Sequence, residues 1–175
     1  MVCPLYIPLM ILAFDSHYSA GSVTTAYVEF AGWADQQAAD SRWYRLPAAA
    51  PYEPGQFYKR ELPGILHALQ QRGTSGLQYL LIDGYVALDA EGRPGLGAHL
   101  YRALEGRYPV IGVAKNPFRG SPHAYPLTRG GSKKPLYITA AGIPAEDAAR
   151  FVAQMHGPHR IPTLLRQVDQ LCRKA

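Results

Sequence analysis

The sequence has few cysteines and no long apolar run. Its two cysteines, Cys3 and Cys172, lie near opposite ends of the 175 residues, without the close spacing of zinc ligands. We therefore expect two free thiols in a reducing cytoplasm, with one terminal disulfide as the alternative. No stretch reaches the roughly 20 apolar residues that a membrane helix needs. The protein is expected to be cytoplasmic and to make no membrane contact.

Acidic residues are also scarce relative to basic ones. The chain has 18 Lys and Arg against 13 Asp and Glu, a formal net charge of +5. A basic surface favours a nucleic-acid partner, because Lys and Arg gain affinity by neutralising phosphates. The excess is largest after residue 118, and we expect several of its side chains to contact a nucleic-acid backbone: Arg119, Arg129, Lys133, Lys134 and Arg160. The expected form is a monomer.

The pattern along the chain predicts one α/β domain over residues 1–175. The apolar N-terminus lacks the basic start and the cleavage site of a signal peptide, and we interpret it as leading into a buried strand. Strands are predicted at 9–14, 22–30, 42–46, 77–82, 109–114 and 136–140, and helices at 62–72, 95–104, 144–155 and 161–172. An antiparallel hairpin start followed by strand–helix alternation predicts a mixed β-sheet with later parallel strands, flanked by helices. Residues 116–135 are expected to form an irregular loop.

Two acidic residues follow apolar strands directly, Asp15 after LMILAF and Asp83 after QYLLI. Ligands of open α/β sheets gather at the carboxyl ends of strands. Two carboxylates brought together there repel each other unless a cation lies between them. An all-oxygen site of this kind suits Mg²⁺, with Mn²⁺ as a substitute. The alternative is that each Asp is an ordinary turn residue.

Three more charged residues have a functional and an ordinary interpretation. Glu61 lies at a predicted helix start, where a carboxylate also complements the free N–H groups. Asp89 lies in the polar stretch DAEGRPG, where a solvated loop acid is common. Lys115 follows the strand PVIGVA and is either a surface lysine or a phosphate contact.

Four segments resemble the endonuclease V family and span most of the chain. They are LAFDSHY with Asp15, PYEPGQFYKRELPGI at 51–65, LLIDGYVALDAEGRPGLGAHL at 80–100 and PVIGVAKN at 109–116. A weaker likeness runs through KKPLYIT and HRIPTLLRQVDQ. The resemblance implies a ribonuclease H-like fold and a Mg²⁺-dependent endonuclease that cuts DNA or RNA near inosine or another altered base, in repair or processing.

The resemblance also implies roles for individual residues. Asp15, Asp83 and Glu61 would hold the metal, and Lys115 would face the scissile phosphate. Nucleic-acid contacts would come from the wedge Pro51, Tyr52, Glu53 and Pro54, from Gly55 beside the base pocket, and from Tyr85, Arg119, Lys133 and Lys134.

The chain departs from the family pattern at four places. Tyr85 and Val86 replace His-Gly, and the resemblance places the Val86 side chain near the base pocket, which predicts altered base recognition. Asp89 replaces the active-site His and becomes a candidate catalytic carboxylate. Ala141-Gly142 replaces Gly-His, and Asp15 lies too near Met1 for the family's leading helix. Two alternatives follow, a nucleic-acid-binding protein that has lost efficient cleavage and a structure-specific ribonuclease H-like nuclease without inosine preference.

Overall fold

The protein folds around one seven-stranded mixed sheet. The structure, a computed structural model, describes residues 7–49, 51, 53–118 and 123–175. The strands are β1 Met10–Ser19, β2 Ser22–Phe30, β3 Asp40–Pro47, β4 Leu77–Asp83, β5 Val110–Ala114, β6 Tyr125–Leu127 and β7 Leu136–Ala141. The helices are α1 Tyr58–Arg72, α2 Leu96–Ala103, α3 Ala145–Gln154 and α4 Thr163–Lys174. This confirms the predicted α/β class and the ribonuclease H-like mixed sheet.

The strand order is β3-β2-β1-β4-β5-β7-β6. The first three strands form the predicted antiparallel meander, and β1, β4 and β5 are parallel. The expectation of parallel strands does not extend to the end of the sheet, because β7 is antiparallel to β5 and to β6. The loop predicted at 116–135 contains the short strand β6, which the sequence does not reveal because it contains Pro126 and is followed by two glycines.

Alternating side chains of the central strands face two separate apolar layers. Ile11 and Ala13 of β1 pack on the side covered by α3 and α4. Leu12 and Phe14 pack on the side covered by α1 and α2. Successive side chains of a strand point to opposite faces, so the position of each functional residue on β1 determines the face on which it lies.

Helix α1 begins four residues before the predicted start and is held tightly against β2. A Cβ atom on Gly64 would lie 2.2 Å from Thr25 Oγ1, so only glycine allows this approach. At the other end of the helix, Arg72 forms an ion pair with Glu29 of β2, and each side chain is only 11% exposed. The first turn of α1, which carries Glu61, therefore has a defined position relative to the sheet.

The structure describes one of the two cysteines. Cys172 is a free, buried thiol, while Cys3 lies outside the described residues. Within the described ranges, no helix is long and apolar enough to cross a membrane.

Candidate active site

Asp15 and Asp83 lie side by side at the centre of the sheet. The last parallel pair between β1 and β4 is Phe14 with Ile82, so both aspartates follow the same pair. Asp83 is the last residue of β4, whereas β1 continues through Asp15 in its hairpin with β2. The two carboxylates line one small cavity of about 20 Å³ beneath α4.

Lys115 follows β5 and lies beside both aspartates. Its Nζ donates a hydrogen bond to Asp83 Oδ2 at 3.1 Å, and it lies 3.9 Å from Asp169 Oδ1 on α4. Asp169 also accepts a hydrogen bond from Arg173 at 3.0 Å, and it lies close enough to Asp15 for the two carboxyl groups to interact. The site therefore contains a third aspartate, which the sequence patterns did not single out.

The electrostatics of this cluster are dominated by negative charge. Burial and the neighbouring Asp83 raise the pKa of Asp15 from 3.8 to about 8. Burial opposes ionisation of Asp169 too, but its hydrogen bond from Arg173 and the nearby Lys115 lower its pKa. Burial disfavours the Lys115 cation as well, yet Asp83 outweighs that effect and raises the lysine pKa. Lys115 thus compensates the aspartates only in part.

Glu61 approaches Asp83 from the opposite face of the sheet. It lies in the first turn of α1, and its Oε1 accepts a hydrogen bond from the Tyr18 hydroxyl at 2.8 Å. Burial raises the pKa of Glu61 to about 7, and the charge of Asp83 adds to this effect. Asp83 lines the cavities on both faces, so it connects Glu61 with the aspartate cluster.

Two larger cavities open beside Asp83 and have aromatic walls. One of about 210 Å³ lies next to Glu61 and Gly55, and one of about 450 Å³ lies next to Lys115. The aromatic side chains Phe57, Tyr85 and Phe118 line both. The Tyr85 hydroxyl donates to Asn116 O at 2.7 Å and accepts from Phe118 N at 3.0 Å, which fixes the ring in the wall.

Val86 does not occupy these cavities, contrary to the position expected from the resemblance. It is 5% exposed and belongs to the apolar layer between the sheet and α2. A Cβ atom on Gly97 would lie 2.6 Å from Val86 Cγ2, so the valine fills the space that glycine leaves on that helix. The substitution that shapes the cavity wall is therefore Tyr85.

The basic residues separate into exposed and structural ones. Lys133 and Lys134 are exposed and share a groove of about 300 Å³ with Lys115 and Asn116. Arg129 instead donates to the carbonyls of Met155, Gly157, His159 and Arg160.

Arg160 donates to the carbonyl of Lys115, so it holds the end of β5 in place. Because the guanidinium groups of Arg129 and Arg160 donate to protein carbonyls, the structure does not favour the expected contact of these two residues with a nucleic-acid backbone.

The remaining candidate residues lie away from the carboxylate cluster or outside the described residues. Asp89 accepts a hydrogen bond from the Arg93 amide at 2.9 Å and pairs with its guanidinium at 3.2 Å, so the structure does not bring it into the carboxylate cluster. Pro51, Glu53 and Pro54 are exposed in the segment before α1, and Glu53 pairs with Lys59 at 3.5 Å. Tyr52 and Arg119 lie outside the described residues.

The carboxylate cluster fits a hard divalent cation by its donor chemistry. In the described part of the chain, no three His, Cys, Asp or Glu side chains are already arranged around one metal position. The groups that meet here are nevertheless all carboxylates, the ligands that Mg²⁺ and Mn²⁺ prefer. Burial, with the charge of Asp83, raises the pKa values of Asp15 and Glu61, and a cation bound beside them would favour their ionised forms.

Asp169 and Tyr18 are the residues that sequence reasoning missed. Asp169 is one of three acids in the basic C-terminal part, and its spacing of four residues after Leu165 and three before Cys172 places it beside apolar residues of a helix, which is the signal that could have found it. Tyr18 follows Asp15 by three residues and so lies on the other face of β1, where no strand-end argument applies.

Comparison with known proteins identifies the family. The family model for endonuclease V matches residues 7–143. Endonuclease V of Streptomyces avermitilis is 34% identical over 146 residues, which cover 71% of this chain and 62% of that protein, less than two thirds of its length.

Solved structures agree. An S. avermitilis endonuclease V structure has a TM-score of 0.72 and 28% identity over 96% of this chain and 82% of that one. Ciona intestinalis endonuclease V (D234N), solved with DNA containing an inosine, has a TM-score of 0.79 at 18% identity over 94% and 84% of the two chains, a likeness of fold. The chain belongs to the endonuclease V family.

Proposed function

We propose that this protein is a metal-dependent endonuclease that hydrolyses a phosphodiester bond in DNA or RNA near inosine or another altered base. The observation that carries the proposal is the meeting of Asp15 of β1, Asp83 at the end of β4 and Asp169 of α4 with Lys115, which follows β5. Clustered carboxylates are costly to keep in a purely structural site. Membership of the endonuclease V family supports the same chemistry.

Asp15, Asp83 and Glu61 are the residues proposed to hold Mg²⁺, or Mn²⁺ in its place. When bound, such an ion supplies an activated water and stabilises the charge on the leaving oxygen. Binding a cation requires ionised carboxylates, so Asp15 must release the proton that its raised pKa retains at neutral pH. Metal binding is therefore coupled to proton release.

Lys115 and Asp169 have supporting tasks in this proposal. Lys115 is 38% exposed and faces the groove, so its ammonium is placed to contact the scissile phosphate once a cation replaces it beside Asp83. Asp169 contacts both Asp15 and Lys115 and orients them. Asp89 is paired with Arg93, and we assign it no part in the reaction.

The nucleic acid is proposed to lie along the three joined cavities. Lys133 and Lys134 would contact the backbone at one end, and the aromatic walls near Tyr85 would contact bases at the other. Stacking on aromatic rings and contacts between lysine and phosphate are the usual means of holding a single strand. Pro51, Glu53, Pro54 and Gly55 would border the strand beside Glu61.

Cleavage of matched oligonucleotides tests the proposal. Single- and double-stranded DNA and RNA, each with and without one inosine, are incubated with the protein in Mg²⁺, Mn²⁺ or EDTA. We expect one major cut near the inosine in Mg²⁺ or Mn²⁺ and none in EDTA.

A variant of Asp83 is the control, and two outcomes would contradict parts of the proposal. Asp83→Asn removes one carboxylate charge with little change in shape and is expected to lose cleavage while retaining binding. Equal cleavage with and without inosine would leave a nuclease but reject the base preference. No cleavage of any substrate in Mn²⁺ would overturn the enzyme assignment in favour of a nucleic-acid-binding protein.

A further inference from the structure

Tyr18 joins the strand that carries Asp15 to the helix that carries Glu61. Its hydroxyl donates to Glu61 Oε1 at 2.8 Å, and the Arg60 guanidinium carbon lies 4.1 Å from the centre of its ring. The side chain is half-buried between β1 and the first turn of α1. One tyrosine thus contacts two consecutive charged residues of the helix.

These two contacts hold the Arg60 guanidinium and the Glu61 carboxylate at different parts of the tyrosine. Consecutive helical side chains do not face each other, and no ion pair between Arg60 and Glu61 occurs among the described residues, although the two are neighbours in sequence. Arg60 is held on the face of the ring, where a cation is attracted by the π-electrons. Glu61 is held at the hydroxyl, by a hydrogen bond to a charged acceptor, which is stronger than a neutral one.

We propose that Tyr18 is a positioning residue whose hydroxyl directs the Glu61 carboxylate towards Asp83 while its ring keeps Arg60 off that carboxylate. Glu61 and Asp83 line the same cavity, so the direction of the glutamate decides whether the two can act together. A free glutamate loses substantial rotamer freedom when fixed, and Tyr18 supplies that restraint before any ligand binds. This inference rests on the proposed function, since it gives Glu61 a partner in the same reaction.

The position of α1 itself does not depend on this hydroxyl. The close contact of Gly64 with Thr25 fixes the helix against β2, and Thr25 is hydrogen-bonded to Ser16 at 3.0 Å. Loss of the Tyr18 hydroxyl therefore frees the Glu61 side chain and leaves the helix backbone in place. The effect of Tyr18 on function is separable from an effect on folding.

Tyr18→Phe is the decisive variant, because it keeps the ring under Arg60 and removes only the hydroxyl. We expect an unchanged unfolding midpoint, about 10-fold weaker Mn²⁺ binding, and a kcat that is lower by about 10- to 100-fold while KM for the oligonucleotide stays unchanged, the usual range for a residue that orients a metal ligand. Mn²⁺ binding is measured by electron paramagnetic resonance of the free ion. Tyr44→Phe is the matched control, since Tyr44 packs against His67 of the same helix, and it should behave as wild type.

A double-mutant cycle with Glu61→Ala identifies the route of the effect. If Tyr18 acts through Glu61, Tyr18→Phe causes no further loss of Mn²⁺ affinity in the Glu61→Ala background. Wild-type kcat and Mn²⁺ affinity in Tyr18→Phe, or an equal loss in both backgrounds, would overturn the inference while wild type remains an active nuclease. Failure of the proposed function is distinguishable, because wild type itself would then neither cleave nor bind Mn²⁺.

Discussion

Replacing Asp15 by asparagine is expected to stabilise the folded protein in the absence of metal while abolishing cleavage. Asp15 lies beside Asp83 and Asp169 beneath α4, and burial with the charge of Asp83 raises its pKa from 3.8 to about 8. Ionised Asp15 therefore opposes folding at neutral pH. An amide of the same shape removes that charge and can still donate a hydrogen bond to Asp169.

The raised pKa of Asp15 gives the size and the sign of its effect on the free energy of unfolding. A rise from 3.8 to about 8 corresponds to about 6 kcal/mol for an isolated group, at 1.36 kcal/mol per pKa unit. Asp15 also interacts with Asp169 and with the Lys115 cation, and solvent reaches the site, so we expect about 1–3 kcal/mol. Between about pH 4 and about pH 8, native Asp15 keeps a proton that the unfolded chain has released, so wild-type stability falls as pH rises.

Urea denaturation of wild type and Asp15→Asn in EDTA, at several pH values, measures this gain. We expect the difference in free energy of unfolding to be close to zero near pH 4 and to grow towards pH 8, where the thermal unfolding midpoint of the variant should be about 5 °C higher. Excess Mg²⁺ should stabilise wild type and not the variant. A variant that is less stable than wild type at pH 8 would refute the electrostatic reasoning.

Three other predictions concern the helix, the arginine clamp and the groove. Gly64→Ala should lower stability by about 1–3 kcal/mol, because the added Cβ would meet Thr25 Oγ1; adding Thr25→Ala should restore part of the loss in the same urea titration. Arg129→Met should cost about 2–4 kcal/mol, since four backbone carbonyls lose their donor, yet leave the salt dependence of oligonucleotide binding unchanged. Lys133→Ala with Lys134→Ala should leave stability unchanged and reduce the slope of log K against log salt by about 0.7 for each phosphate of a single strand that the lysines neutralise in wild type; an unchanged slope would remove both lysines from the interface.

The parts of the site that lie at strand ends could be predicted from sequence. Asp15, Asp83 and Lys115 each follow or end an apolar run, and the parallel arrangement of β1, β4 and β5 brings them to one edge. The helical spacing of Leu62, Ile65, Leu66 and Leu69 also predicted the helix that in the structure extends back to Tyr58 and so includes Glu61. Each of these residues is placed by the strand or helix beside it in the sequence, so the local sequence pattern was enough to predict its position.

The residues whose surroundings could not be predicted from sequence depend on long-range contacts. Arg129 and Arg160 have the same sequence character as Lys133, and only the path of residues 155–160 shows that both guanidinium groups bind backbone carbonyls. Val86 was expected near the base pocket. It packs against α2 instead, because Gly97 has no side chain and leaves space for the valine. Asp169 enters the site through the packing of α4, which no motif reveals.

Cleavage by Asp83→Asn compared with wild type tests most directly whether the carboxylate cluster is a nuclease centre. Asp83 lines the cavities on both faces of the sheet and accepts the hydrogen bond from Lys115 at 3.1 Å. Its negative charge therefore acts on the residues of both cavities. Rates are measured under single turnover in Mg²⁺ on an inosine-containing oligonucleotide, with binding measured separately in EDTA. We expect the variant to cleave more slowly by about 100-fold or more with wild-type binding, and a variant that cleaves as fast as wild type would contradict a nuclease centre at this cluster.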